Sequence, residues 1–94
     1  MKEMRLRLIT NFSFPTGEGG EYFPPASVHT VGELLAHIGK LVEFVFVDVS
    51  GKRLRKDVEV GLNGRDIWFC PGGLETTLTE GDCLEISQMT LGGG

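Results

Sequence analysis

Thr30-Val31-Gly32-Glu33-Leu34-Leu35-Ala36-His37-Ile38-Gly39-Lys40-Leu41 is the one stretch of this sequence with a convincing helical period. Thr30 and Glu33 stand at capping-box spacing, in which the hydroxyl accepts from the Glu33 amide and the carboxylate reaches back to the amide of Thr30. Val31, Leu34, Leu35, Ile38 and Leu41 recur at intervals of three and four, which lines them along one stripe of a helix. Gly39-Lys40 marks its expected end.

The segments on either side read as strands. Upstream, Met4-Arg5-Leu6-Arg7-Leu8-Ile9-Thr10 alternates apolar and polar residues, the period of a strand with one buried face. Ser13 to Glu21 carries Pro15, Gly17, Gly19 and Gly20 and reads as a loop. Glu21-Tyr22-Phe23 follows as a short strand stopped by Pro24-Pro25, because proline cannot donate to a ladder. Downstream, residues Val42 to Val49 are apolar at nearly every position, and their β-branched and aromatic content predicts a strand. Ser50-Gly51-Lys52 supplies a turn, and Val58-Glu59-Val60-Gly61-Leu62 is the next strand. Asn63-Gly64 signals a type I′ hairpin returning through Ile67-Trp68-Phe69. Pro71-Gly72-Gly73 breaks that segment, Leu74 to Asp82 is rich in turns, and Cys83-Leu84-Glu85-Ile86-Ser87-Gln88 is the last strand.

This order predicts an α+β domain, a mixed four- to five-stranded sheet with one main helix packed across it. A single helix covers one sheet face only. The strand at 42–49 is apolar on both faces, so either Phe44 and Phe46 or Val45 and Val47 are expected on the uncovered side, as a partner surface. Phe44 and Phe46 are the candidate partner-binding residues.

Composition narrows the function classes. The chain has 94 residues, 40% hydrophobic and 23% charged, which suits one folded domain over 1–88. A net charge of −4 argues against nucleic acid as a partner, since phosphate contacts need clustered Lys and Arg. The one basic cluster, Lys52-Arg53-Leu54-Arg55-Lys56, reads as a solvated hairpin tip, with a docking patch for an acidic partner as the alternative. No apolar run approaches the ~18–20 residues of a membrane helix, and Met1-Lys2-Glu3-Met4-Arg5 lacks the pattern of a secretion signal. A cytoplasmic protein is expected, with Cys70 and Cys83 as reduced thiols.

Little in the chain supports independent catalysis. Gly39-Lys40 and Gly51-Lys52 are followed by Leu41 and Arg53, where a phosphate loop needs Ser or Thr. His29, His37, Cys70 and Cys83 lack zinc-site spacing, and no nucleophile elbow is present. Neither a metal nor a stably bound cofactor is expected.

The glycine run is the departure from chance. Glycine is 14 of the 94 residues, so three in succession at Gly92-Gly93-Gly94 would arise at random roughly 0.3% of the time. Residues without side chains pass through narrow channels. A flexible tail over 89–94 is therefore expected, reaching on the order of 20 Å when extended. It suits delivery of the Gly94 carboxylate into another protein's active site.

The motifs, in order, resemble those of a known family. Thr30-Val31-Gly32-Glu33-Leu34-Leu35 resembles its "TVGELL" segment, and Leu62-Asn63-Gly64-Arg65-Asp66-Ile67 its "VNGRDI". Gly72-Gly73-Leu74-Glu75-Thr76 with Leu78-Thr79-Glu80-Gly81-Asp82 resembles its "GGLDTPLKDGD", and Gly93-Gly94 its terminal pair. The family is that of the ubiquitin-like sulfur carriers, which includes the small subunit of molybdopterin synthase and the thiazole-synthesis carrier (MoaD/ThiS-like). The resemblance implies a β-grasp fold and a protein co-substrate rather than an enzyme. An activating enzyme of the ubiquitin-activating type would use ATP to adenylate Gly94, and sulfur would displace AMP to leave a thiocarboxylate. Gly93 would give access, and Leu91 and Gly92 would join Phe44 and Phe46 in partner binding. The sulfur acceptor would be a partner such as a molybdopterin synthase large subunit, in molybdenum cofactor biosynthesis. That branch carries an aromatic-Pro-Pro stretch before its last glycines, whereas this chain has Gln88-Met89-Thr90-Leu91. A lysine-conjugated protein modifier and a β-grasp interaction module with an inert tail stand as alternatives.

Overall fold

The computed structural model describes residues 4–48 and 53–89. Strand β1 spans Leu6–Thr10, β2 Glu21–Tyr22, helix α1 Val31–Val42, β3 Val58–Leu62, β4 Arg65–Asp66 and β5 Cys83–Gln88. They form one five-stranded sheet in the order β2-β1-β5-β3-β4. The central strand β5 runs parallel to β1 and antiparallel to β3, and the outer pairs are antiparallel.

Strand alternation decides the core. Leu6 and Leu8, Val58, Val60 and Leu62, and Leu84 and Ile86 are all buried, and with Val31, Leu34, Leu35 and Ile38 of α1 they form one cluster. The other face of the sheet presents Arg7, Ile9, Glu59 and Glu85 to solvent. That face is largely polar, so the apolar sheet patch expected from the sequence is not there.

The capping box forms as the sequence predicts. Glu33 N donates to Thr30 Oγ1 at 3.2 Å, and Glu33 Oε1 accepts from the amides of Thr30 and His29 at 3.0 and 2.8 Å. Those two N–H groups hold the Glu33 carboxyl below its ordinary value of 4.5. At Asn63 and Gly64 the φ angles are 53° and 84°, both positive as a type I′ hairpin demands.

Several expectations are corrected. Helix α1 runs past Gly39 to Val42 and closes on Glu43, which takes the left-handed conformation (φ 57°, ψ 46°). The amides of Glu43 and Phe44 both reach Gly39 O, so the chain doubles back over Gly39. The described residues after it, 43–48, therefore form no strand of the sheet, while Val49 and the turn expected at Ser50-Gly51-Lys52 lie outside the described residues. Residues 43–48 pair only locally, through Val47 and Leu54, with Asp48 N donating to Arg53 O and Arg55 N to Phe46 O. Leu41, placed on the apolar stripe by its spacing, is 57% exposed. Ile67–Phe69 is a 3-10 turn rather than a returning strand, because the Asp66 carboxylate accepts from Trp68 N and caps it.

Candidate functional site

Strand β5 is followed in sequence by Met89 and then Thr90-Leu91-Gly92-Gly93-Gly94, so the chemistry expected of the tail depends on how β5 ends. Gly94, Gly93, Gly92 and Leu91 lie outside the described residues. The strand that precedes them is held on both sides.

On one side, the β1–β5 ladder has its last rung at Thr10 and Ile86. Thr10 Oγ1 then donates to Phe12 O at 2.9 Å, in a turn that takes the β1 backbone away. The side chain of Asn11 continues the ladder. Its Nδ2 donates to Gln88 O at 2.8 Å, and Gln88 N donates to its Oδ1 at 2.9 Å. On the other side Val58 pairs with Gln88, and Met89 N donates to Asp57 O at 2.7 Å.

Both of these arms rest on aromatic residues singled out in the sequence. Phe12, next to Asn11, packs its ring 5.4 Å from that of Phe46, and Phe44 lies 4.7 Å from Phe46. The Arg55 guanidinium sits 4.7 Å above the Phe44 ring, and its Nε lies 2.8 Å from Asp57 Oδ1, a charge contact rather than an aligned hydrogen bond. Arg55 thus engages Phe44 and Asp57 while remaining exposed, as are Arg53 and Lys56 of the same basic cluster.

Burial corrects the expected placement of the two phenylalanines. Phe46 is 1% exposed and belongs to the core, and Phe44 is half-buried beneath Arg55. Among the described apolar residues of this segment, the one that faces solvent is Val45, 64% exposed. Between the segment and α1 runs an open apolar groove of about 770 Å³, lined by Leu35, Ala36, Gly39, Phe44, Val45 and Val47 among others.

The remaining chemistry-bearing residues lie apart from this end. His37 is half-buried, with its Nε2 hydrogen-bonded at 2.6 Å to Tyr22 Oη. Burial pushes the Tyr22 phenol above its ordinary value of 10.0. Cys70 and Cys83 are free, half-buried thiols. Among the described residues no three His, Cys, Asp or Glu side chains are grouped to hold a metal ion, and no helix is long and apolar enough to cross a membrane.

Sequence reading missed two features. A lone Asn after a strand carries no signal of its role until the pairing of β5 is known. Trp68 and Phe69, read as strand residues, are 57% and 77% exposed on their 3-10 turn.

A mixed sheet of this order with one α-helix across it is the ubiquitin-like β-grasp fold, the fold that the sulfur-carrier resemblance implied. No family model matches the chain, and no curated protein does. Solved structures do. The chain is similar to the HVO 2177 protein of Haloferax volcanii, with 23% identity and a TM-score of 0.64 over 96% of this chain and 87% of that one. It is also similar to Urm1 from Trypanosoma brucei, with 19% identity and a TM-score of 0.58 over 99% of each chain. At these identities the likeness is one of fold.

Proposed function

We propose that this protein is a ubiquitin-like sulfur carrier, a protein co-substrate whose Gly94 carboxylate is activated by a ubiquitin-activating-type enzyme. The observation that carries the reading is the combination of a β-grasp fold shared with Urm1 and a triple glycine placed just beyond the firmly held end of the central strand. A fold alone does not assign a function. The glycine run supplies what the fold leaves open, a carboxylate on a backbone that no side chain obstructs.

In the reaction, a carboxylate oxygen of Gly94 attacks the α-phosphorus of ATP and pyrophosphate leaves. A sulfide equivalent then attacks the acyl carbon of the mixed anhydride, and AMP departs with the original oxygen. The product is a thiocarboxylate able to donate sulfur in cofactor biosynthesis. ATP is bound by the partner, and Phe44 and Phe46 contribute by supporting the strand end rather than by forming a contact face. Leu91, Gly92 and Gly93 enter the partner's channel. The aromatic-Pro-Pro stretch of the molybdopterin branch is replaced here by Gln88-Met89-Thr90-Leu91, so the acceptor is proposed as a class: an enzyme that takes sulfur from a thioacid.

The test is the intact mass of the full chain after incubation with ATP, sulfide and the activating enzyme of its own cells. Replacement of one oxygen by sulfur, mapped to Gly94, is the expected result. Attachment to another protein's lysine would make the chain a modifier instead. An unchanged mass beside a demonstrably active enzyme would leave an interaction module and refute the carrier.

A further inference from the structure

We infer that Asn11 is a positioning residue, whose carboxamide replaces a missing β1 peptide group and sets where and in which direction the C-terminal segment leaves the fold. The inference deepens the carrier reading and rests on it for its functional consequence.

The geometry is specific. Gln88 is the last residue of β5, and beyond Thr10 the β1 backbone no longer runs beside it. A side-chain carboxamide offers a C=O acceptor and two N–H donors, so it can present the same acceptor–donor pair as a peptide group. Asn11 uses both, at 2.9 and 2.8 Å, on the N–H and C=O of the same residue. Asn11 is itself held in place, because the next residue, Phe12, is packed against buried Phe46. With Met89 N bonded to Asp57 O across the strand, the β5 end is gripped from both edges.

The alternative is a frayed end. Strand termini open with little free energy when few backbone bonds hold them. Each residue released would move the pivot of the tail back by ~3.3 Å and enlarge the volume its end explores. An activating enzyme would then have to order those residues on binding, so the loss falls on association rather than on chemistry.

The test uses the full chain with Asn11→Ala and Asn11→Asp, read by amide hydrogen exchange and by ATP–pyrophosphate exchange with the activating enzyme. Asp keeps an oxygen acceptor for Gln88 N but loses the donor to Gln88 O. In Asn11→Ala the Gln88 amide should exchange roughly tenfold faster, with Leu84 and Ile86 unchanged, and in Asn11→Asp it should stay largely protected. KM for the carrier should rise about five- to tenfold in Asn11→Ala with kcat within about twofold, and Asn11→Asp should fall between. Unaltered Gln88 exchange in Asn11→Ala, or equal acceleration at Leu84 and Ile86, overturns the clamp. Faster Gln88 exchange with an unmoved KM overturns the positioning role. Failure of the unmodified chain to be adenylated would instead remove the carrier reading, with the exchange experiment still deciding whether Asn11 holds the strand end.

Discussion

Gly39→Ala should destabilise the protein, against the usual direction for a helix. In an unobstructed helix interior, alanine is favoured over glycine by about 1 kcal/mol. Here a Cβ at residue 39 would stand 2.5 Å from Phe44 O and 3.5 Å from Phe46 Cδ2. The first distance is almost an ångström short of ordinary contact, and its partner is backbone, which no rotamer change relieves. Phe44 carries the return of the chain from the left-handed Glu43, and its own amide is bonded to Gly39 O at 3.0 Å. Pushing it away therefore strains the helix end and shifts Phe46, which is buried between Phe12 and Phe44. Overpacking of this kind costs about 1–3 kcal/mol, occasionally more, and should exceed the propensity gain. A net loss of about 1–2 kcal/mol corresponds to a fall in Tm of roughly 5–15 °C in a domain of this size. Urea and thermal unfolding of the two proteins measure it. A Gly39→Ala variant as stable as the parent, or more stable, would show that the doubled-back chain yields freely and that the reasoning is wrong.

Three further outcomes follow from the same structure. Gly64→Ala, at φ 84° in the β3–β4 hairpin, should cost about 1 kcal/mol although open space surrounds the position, and an unchanged urea midpoint would count against the turn assignment. The lowered Glu33 pKa makes its capping contribution complete above 4.5 and lost as pH falls through the folded-state value. The stability gap between the parent and Glu33→Gln should accordingly narrow in acid, and a gap that stays constant from neutral pH downward would refute the carboxylate's role. Tyr22 is the sole tyrosine, so phenolate absorbance reports it alone. Its raised pKa means stability is kept up to 10.0 and declines as pH climbs through the folded value, and a midpoint at or below 10.0 would contradict the burial seen beside His37.

The glycine run, the capping box, the Asn63-Gly64 turn and the alternation of Leu6, Leu8, Leu84 and Ile86 were readable in the chain because each is governed by residues within a few positions of one another. From these the α+β outline, one helix across a mixed sheet, follows, and the family resemblance made it a β-grasp expectation. The described part of the segment at 42–49 was misread for a definite reason. Periodicity reports how a residue is buried but not by what, and Phe44 and Phe46 are shielded by Phe12, Arg55 and the helix rather than by a neighbouring strand. Trp68 and Phe69 have strand-like composition, yet one hydrogen bond to the Asp66 carboxylate suffices to wind them into a 3-10 turn.

By itself, then, the sequence determined the local elements, most of the buried stripe of the helix and the glycine-rich tail sequence Gly92-Gly93-Gly94. Tertiary structure alone decided what holds the strand before that tail. Asn11 and Gln88 lie 77 residues apart, and Asp57 meets Met89 only once β3 has paired with β5. Local propensity cannot specify contacts of that separation, because they exist only after the whole sheet has closed.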